Sequence, residues 1–438
     1  MAVVSDARAV AVVGGGWAGM TTAVTLAAAG IPVTVFESAQ VLGGRARGVS
    51  RNGSMLDNGQ HLLLGAYRDT LALIHRVQPD VAPHSLYLRI PLDITGPGRF
   101  RLRSRRLPAP LHSLIGLLAA QDCSWAERLA VISAFIGWRR DGWRCAAEMT
   151  VHRLLRGQPA AITARLWIPL CLAALNTPPA QASAQIFLNV VRDVLAGGRT
   201  DSDMIFPIAD LAQLFPAPAA RFVAARGGTV LRGAMIRTMT PTAGGVMLGL
   251  QGGQRSFRRV VVATAPCQAA RLLQQVPEAA RVCSLIGAYT YQPITTVYLA
   301  YPARVRLPAP MVQLAGSPGQ WVFERPAPPA GGSLLAVVIS ADGPHRLLGH
   351  DALADAVRQQ LVQTLQGVGA LHAPDWTQVI TERRATHTSS PNRLPPAAAQ
   401  VARGLFLAGD HTDPDYPATL EAAVRSGLRA ATAILGEQ

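Results

Sequence analysis

Apolar and small residues run from position 9 to 13, break at Gly14, Gly15 and Gly16, resume from position 20 to 29, and stop again at Gly30. This pattern predicts a short buried strand, a tight turn and a helix, followed by a second buried strand over residues 31–36. Residues 257–266 and 404–410 read as two more buried strands, and Arg226, Gly227, Gly228, Thr229 and Val230 open another. Residues 416–427 read as a helix started by Pro417. Further apolar runs at 114–120, 129–138, 166–175 and 186–191 fall short of the roughly 18 residues that cross a bilayer. The runs at 166–175 and 186–191 are expected to line a cavity or to form core. Proline-rich loops are expected at 326–332 and 390–396.

The turn between the first strand and helix carries chemistry. Gly14, Gly16 and Gly19, with Trp17 and Ala18 between, have GxGxxG spacing. Gly14 permits the tight turn, Gly16 lets the backbone approach a pyrophosphate, and Gly19 lets the helix pack close on the strand. The helix N-terminus then turns unpaired N–H groups toward the phosphates. Glu37 ends the second strand, where a carboxylate accepts both ribose hydroxyls of an adenosine and argues against a 2′-phosphate. With 40 glycines in the chain, GxGxxG alone would say little; strand, turn, helix, strand and acid in this order predict a dinucleotide site.

A second glycine pair follows with an arginine: Gly43, Gly44, Arg45. Here the chain resembles the GR2 flavoprotein family, which includes amine oxidases, protoporphyrinogen oxidase and carotenoid desaturases. The resemblance implies an α/β fold, a discontinuous Rossmann-like FAD-binding domain of GR2 type with a mixed α+β substrate-binding domain, and FAD as cofactor. It implies that Gly43, Gly44 and Arg45 lie along the FAD pyrophosphate and ribityl chain and that Ile236 reaches the adenine. Gly409 and Asp410 would meet the phosphate and ribityl region, and the turn Ala418, Thr419 and Leu420 the isoalloxazine. The expected FAD domain comprises residues 1–80, 203–290 and 395–438, leaving 81–202 and 291–394 for the substrate-binding, membrane-facing domain.

Residues 56–67, which include Asp57, Gly59, Gln60 and His61, stand where that family passes its chain along the flavin ring. Together with residues 409–427 they resemble the hydroxysqualene dehydroxylase branch, FAD enzymes of hopanoid-producing bacteria. The likeness is densest at the two ends of the chain and thin between residues 81 and 200. It implies a reductive dehydroxylation in which hydroxysqualene loses its allylic hydroxyl, takes a hydride from reduced FAD, and becomes squalene. His61 is the candidate proton donor because imidazole titrates near neutral pH, with Asp57 orienting it or a water. Two other readings share the fold: a carotenoid-type desaturase or other GR2 oxidase, with hydride moving from substrate to flavin, and a non-catalytic prenyl-binding protein.

Composition narrows the partners. The net charge is +15, carried entirely by arginine since the chain has no lysine, which favours anionic surfaces. Aromatics are only 5% and no nucleic-acid motif appears, so phospholipid is the expected surface. A C30 polyprene favours the apolar phase by about 0.8 kcal/mol per buried CH₂, so substrate should arrive from the bilayer. Arg99, Arg101 and Arg103 alternating with Phe100 and Leu102, then Arg105 and Arg106 before the apolar stretch 107–120, form the expected anchor. The expected location is the cytoplasm, peripherally on the inner face of the cell membrane. Cys123, Cys145, Cys171, Cys267 and Cys283 never form CxxC and are expected as buried free thiols, and no metal site is expected. The flavin reductant and the oligomeric state leave no mark in the sequence.

Overall fold

The computed structural model describes residues 3–5, 8–109, 111–328, 331–365, 371, 373–396 and 399–437. Pro110 in the expected anchor, and Pro329 and Ala330 in the expected loop 326–332, lie outside them.

The strand order of one six-stranded sheet brings the two ends of the chain together. Its strands run Thr229–Leu231, Val33–Phe36, Val10–Val13, Arg259–Val262, Leu405–Leu407 and Gln400–Ala402, the first five parallel and the last antiparallel. A parallel sheet is covered on both faces, and Val10–Val13 and Val33–Phe36 are buried at every position. Alternation splits the covering: Val10 and Val12 pack toward helices α1 (Trp17–Ala28) and α6 (Leu420–Leu435), while Ala11 and Val13 pack with Met239, Val246 and Leu272 on the opposite face.

A seven-stranded sheet stands beside it, in the order Trp376–His387, Tyr291–Tyr301, Ser333–Ser340, Trp321–Arg325, Met311–Gln313, Asp93–Thr95 and Arg101–Arg103. Its outer face, with Val297, Val322 and Val337, packs on the helix His350–Thr364. Its inner face presents Tyr298, Trp321, Phe323 and Val338 to the molecular interior. Helices α2 (Leu111–Leu118), α3 (Trp125–Arg140), α4 (Ile168–Leu175) and α5 (Ala184–Val191) roof that face. The start of α3 is fixed by a capping box: Glu127 N–H donates to Ser124 Oγ at 3.3 Å, and Ser124 N–H donates to the Glu127 carboxylate at 2.7 Å.

Several expectations need correction. The C-terminal helix starts at Leu420 rather than at Pro417, because Thr419 Oγ1 accepts the Ala422 N–H at 3.2 Å and so makes Thr419 the cap. The alternating arginines are less free than expected: Arg101 and Arg103 both pair with Asp93 on the neighbouring strand, the first at 2.6 Å. The run 166–175 is both wall and core, since Leu166, Trp167 and Leu170 line the cavity while Cys171 and Leu175 sit in core. All five cysteines are free, but only Cys123 and Cys171 are buried. Among the described residues no helix is long and apolar enough to cross a membrane.

Candidate active site

Between Val10–Val13 and α1 the backbone turns at Gly14 with φ of 115°, where an added Cβ would sit 2.5 Å from the Ala263 carbonyl oxygen. Gly19 has no room either, since a Cβ there would run into the Gly14 carbonyl. Gly16 is different: its Cβ direction opens toward Gly44, whose Cα would be 3.9 Å away. The second glycine turn is bound to the first, because Gly43 N–H donates to the Gly15 carbonyl at 2.9 Å and Gly16 bridges Gly43. Two glycine turns therefore face each other across a space that side chains would fill. No side chain caps the first turn of α1, which leaves its N–H groups for a ligand, and Gly16, Trp17 and Ala18 line the cavity beside it.

Glu37 is buried at the cavity wall, its carboxylate held by the N–H of Gly15 at 2.7 Å and of Ala39 at 2.8 Å. Phe36, Ile236 and Met235 line the cavity nearby. From the other end of the chain comes Asp410, which accepts from Arg45 Nη2 at 2.6 Å while Arg45 Nη1 donates to the Ala385 carbonyl at 2.7 Å. Burial pushes the Asp410 carboxyl up, but the Arg45 guanidinium outweighs it and holds the group well below the ordinary carboxylate range. Gly409, with φ of 151°, donates its N–H to Ser426 Oγ at 2.8 Å, which ties this turn to α6.

The segment after Leu56 crosses the middle of the site and is fastened to the seven-stranded sheet. Tyr298 Oη donates to the Asp57 carbonyl at 2.9 Å, and Gln60 N–H donates to Thr296 Oγ1 at 3.3 Å. The Asp57 carboxylate is almost fully buried and accepts from Leu211 N–H and from Arg325 Nη2, both at 3.0 Å. It does not line the cavity and has no hydrogen bond to His61, so the expected orienting role of Asp57 reduces to an electrostatic one: its oxygens are already occupied. His61 lines the cavity, and its Nδ1 lies 2.8 Å from the Gly59 carbonyl oxygen. A carbonyl only accepts, so Nδ1 carries the proton and Nε2 presents a lone pair. Burial pushes the imidazole below its ordinary value, opposed by Asp57.

The cavity that collects these groups has a volume of about 1220 Å³. Gly14, Gly16, Trp17, Ala18, Glu37, Gly43, Gly44, Arg45, Gly59, Gln60, Ile236, Gly409, Asp410, Ala418, Thr419 and Leu420 all line it, as does His61. Gly19 lies beneath the turn, outside the lining. Beyond Leu420 the wall turns apolar, with Leu117, Phe135, Leu166, Trp321, Phe323 and Val338. Nothing in the local pattern marks Arg325, whose partner Asp57 is 268 residues away. Tyr67 and Glu382 also line the cavity, and Glu382 accepts from Asn58 Nδ2 at 3.2 Å.

Residues 17–435 match the flavin containing amine oxidoreductase family. The chain belongs to that family. It is 30% identical over 442 residues to a hydroxysqualene dehydroxylase of Rhodopseudomonas palustris, covering 98% of each chain. It is 28% identical to a hydroxysqualene dehydroxylase of Sinorhizobium fredii, covering 97% of this chain and 98% of that one. A cofactor-binding redesign of putrescine oxidase superposes with a TM-score of 0.72 over 100% of both chains at 16% identity, a likeness of fold. The protein is an FAD-dependent oxidoreductase, and the uncapped helix, the facing glycines and the buried Glu37 are a donor and acceptor set that fits FAD.

Proposed function

We propose that this enzyme converts hydroxysqualene to squalene and water by reductive dehydroxylation. The reading is carried by the likeness to two hydroxysqualene dehydroxylases along nearly the whole of both chains, and supported by an apolar chamber that continues the cofactor cleft. Reduced FAD, when bound, supplies the hydride.

The chain's own residues do the rest. The N–H groups at Gly16, Trp17 and Ala18 bind the pyrophosphate, with Gly14 and Gly19 shaping the turn and Gly43 and Gly44 leaving the approach open. Glu37 accepts from the ribose hydroxyls, Ile236 packs on the adenine, and Arg45 paired with Asp410 flanks the phosphates and ribityl chain. Gly409 stands with Asp410 at the phosphate and ribityl region, and Gly59, Gln60, Ala418, Thr419 and Leu420 border the ring. The apolar wall holds the polyprene and keeps water from the allylic cation that forms as the C–O bond breaks. The hydroxyl leaves as water once protonated, and His61 gives that proton from Nε2 when the ring is charged. Asp57 acts at a distance, its negative charge favouring the charged ring.

In this reading residues 1–80, 203–290 and 395–438 form the FAD domain, and 81–202 and 291–394 the substrate domain. The enzyme works from the cytoplasm, peripherally attached to an anionic membrane in which its substrate is dissolved. Incubation of the enzyme with hydroxysqualene under anaerobic reducing conditions tests the reaction. Squalene is the expected product, and recovery of unchanged substrate would overturn the reading.

A further inference from the structure

Helices α2 and α3 are neighbours over the cavity, and each leaves an apolar stripe in solvent. On α3 the stripe is Trp125, Leu129 and Ile136, 65%, 60% and 62% exposed, at a spacing that puts all three on one helix face. On α2 it is Leu111, Leu114 and Ile115, again one face. Single exposed apolar residues are ordinary, but six on two adjacent helices form a patch of the kind that marks an interaction site.

Two observations say what covers it. Leu114 and Ile136 are both exposed and part of the cavity lining, so the chamber opens on this face. Arginines frame the opening: Arg139, Arg140 and Arg165 stand in the lining, and the Arg128 guanidinium lies 4.7 Å from the Trp125 ring centroid. Arg105 and Arg106 are exposed just ahead of α2. The acids nearby offset two of these arginines, Asp122 pairing with Arg165 and Asp141 with Arg140, and Glu127 is folded into the α3 cap. The positive excess of the frame therefore rests on Arg105, Arg106, Arg128 and Arg139, with Glu148 exposed beyond them. A second copy of the chain would bring the same arginines against this frame and be repelled, whereas anionic headgroups complement it.

We infer that α2 and α3 dock on an anionic phospholipid membrane, their apolar stripes at the headgroup and acyl boundary, so that the chamber opens directly toward the dissolved polyprene. The inference rests on the polyprenyl substrate reading; of the expected anchor it keeps the apolar stretch that forms α2, drops Arg101 and Arg103, which Asp93 already occupies, and adds α3 at the mouth.

Co-sedimentation of the FAD-loaded enzyme with vesicles tests it. Binding is expected to vesicles of phosphatidylcholine containing phosphatidylglycerol, to weaken with salt, and to be far weaker on phosphatidylcholine alone. Trp125→Ser with Leu129→Ser, neither in the cavity lining, should weaken binding about tenfold or more. Leu111→Ser with Ile115→Ser gives an independent second variant with the same expectation. Both variants should keep bound flavin and wild-type turnover of detergent-dispersed hydroxysqualene, where docking is not needed. Undiminished vesicle binding by both variants, or equal binding to neutral vesicles, would overturn the inference. Failure of wild-type turnover in detergent would count against the reaction and leave the vesicle result to judge the docking face.

Discussion

His61 donates through Nδ1 to the Gly59 carbonyl, so a proton given to the leaving hydroxyl has to be an extra one, on Nε2. Burial lowers the affinity of the ring for that proton. The single-turnover rate of reduced enzyme with hydroxysqualene should therefore rise as pH falls below 7 and level off below the ordinary imidazole value. His61→Gln should abolish the dependence and slow the step by about 10² or more; a pH-independent wild-type rate would remove His61 from the role. His387 behaves differently. It is buried with no partner on either ring nitrogen, and burial pushes it down to about 3. Unfolding restores the value of 6.5, so between these limits the unfolded chain binds the extra proton and stability falls as pH falls. The loss is about 1.4 kcal/mol per pH unit. Calorimetry of wild type and His387→Phe across that window should show a flatter profile in the variant; identical slopes would contradict it. Glycine and acid positions such as Gly14 and Glu37 were legible in the sequence because their constraints are local. The occupation of Asp57 by Arg325 was not, because the partner arrives from a distant strand.

Among the elements, α1 and α6 meet at one glycine. A Cβ on Gly427 would press on the Ala18 carbonyl and on Thr21, and Thr22 Oγ1 donates to the Gly427 carbonyl at 3.1 Å. Since Ala18 lines the cavity, helix packing and the cofactor wall share this contact. Gly427→Ala should cost about 1–3 kcal/mol, measured as a lower melting temperature together with weaker retention of flavin on dilution. An unchanged melting curve would show that the helices have slack. The parallel-sheet segments Val10–Val13, Val33–Phe36 and Leu405–Leu407 are short, almost wholly apolar and bordered by a glycine or an acid, which is why they could be read singly. The helix after Pro417 was read one turn element too early, since Pro417 suits a helix start but the hydroxyl of Thr419 supplies the actual cap. The apolar stretch that forms α2 was already part of the expected anchor, whereas the exposed face of α3 was not, because an apolar helix run reads as core whichever side it turns to solvent.

At the scale of the molecule, the first and last segments of the chain build one wall of the chamber and the seven-stranded sheet builds another. Gln60, Asp57 and Tyr298 fasten the segment between them, so cofactor and substrate walls keep a fixed relation. That arrangement makes the direction of hydride transfer the central claim. The direct measurement is to reduce the bound flavin anaerobically, mix the enzyme with an equimolar amount of hydroxysqualene, and follow flavin absorbance and product together. The account predicts return of the oxidised flavin spectrum with one squalene formed per flavin. A flavin that stays reduced, with hydroxysqualene recovered intact, would contradict it.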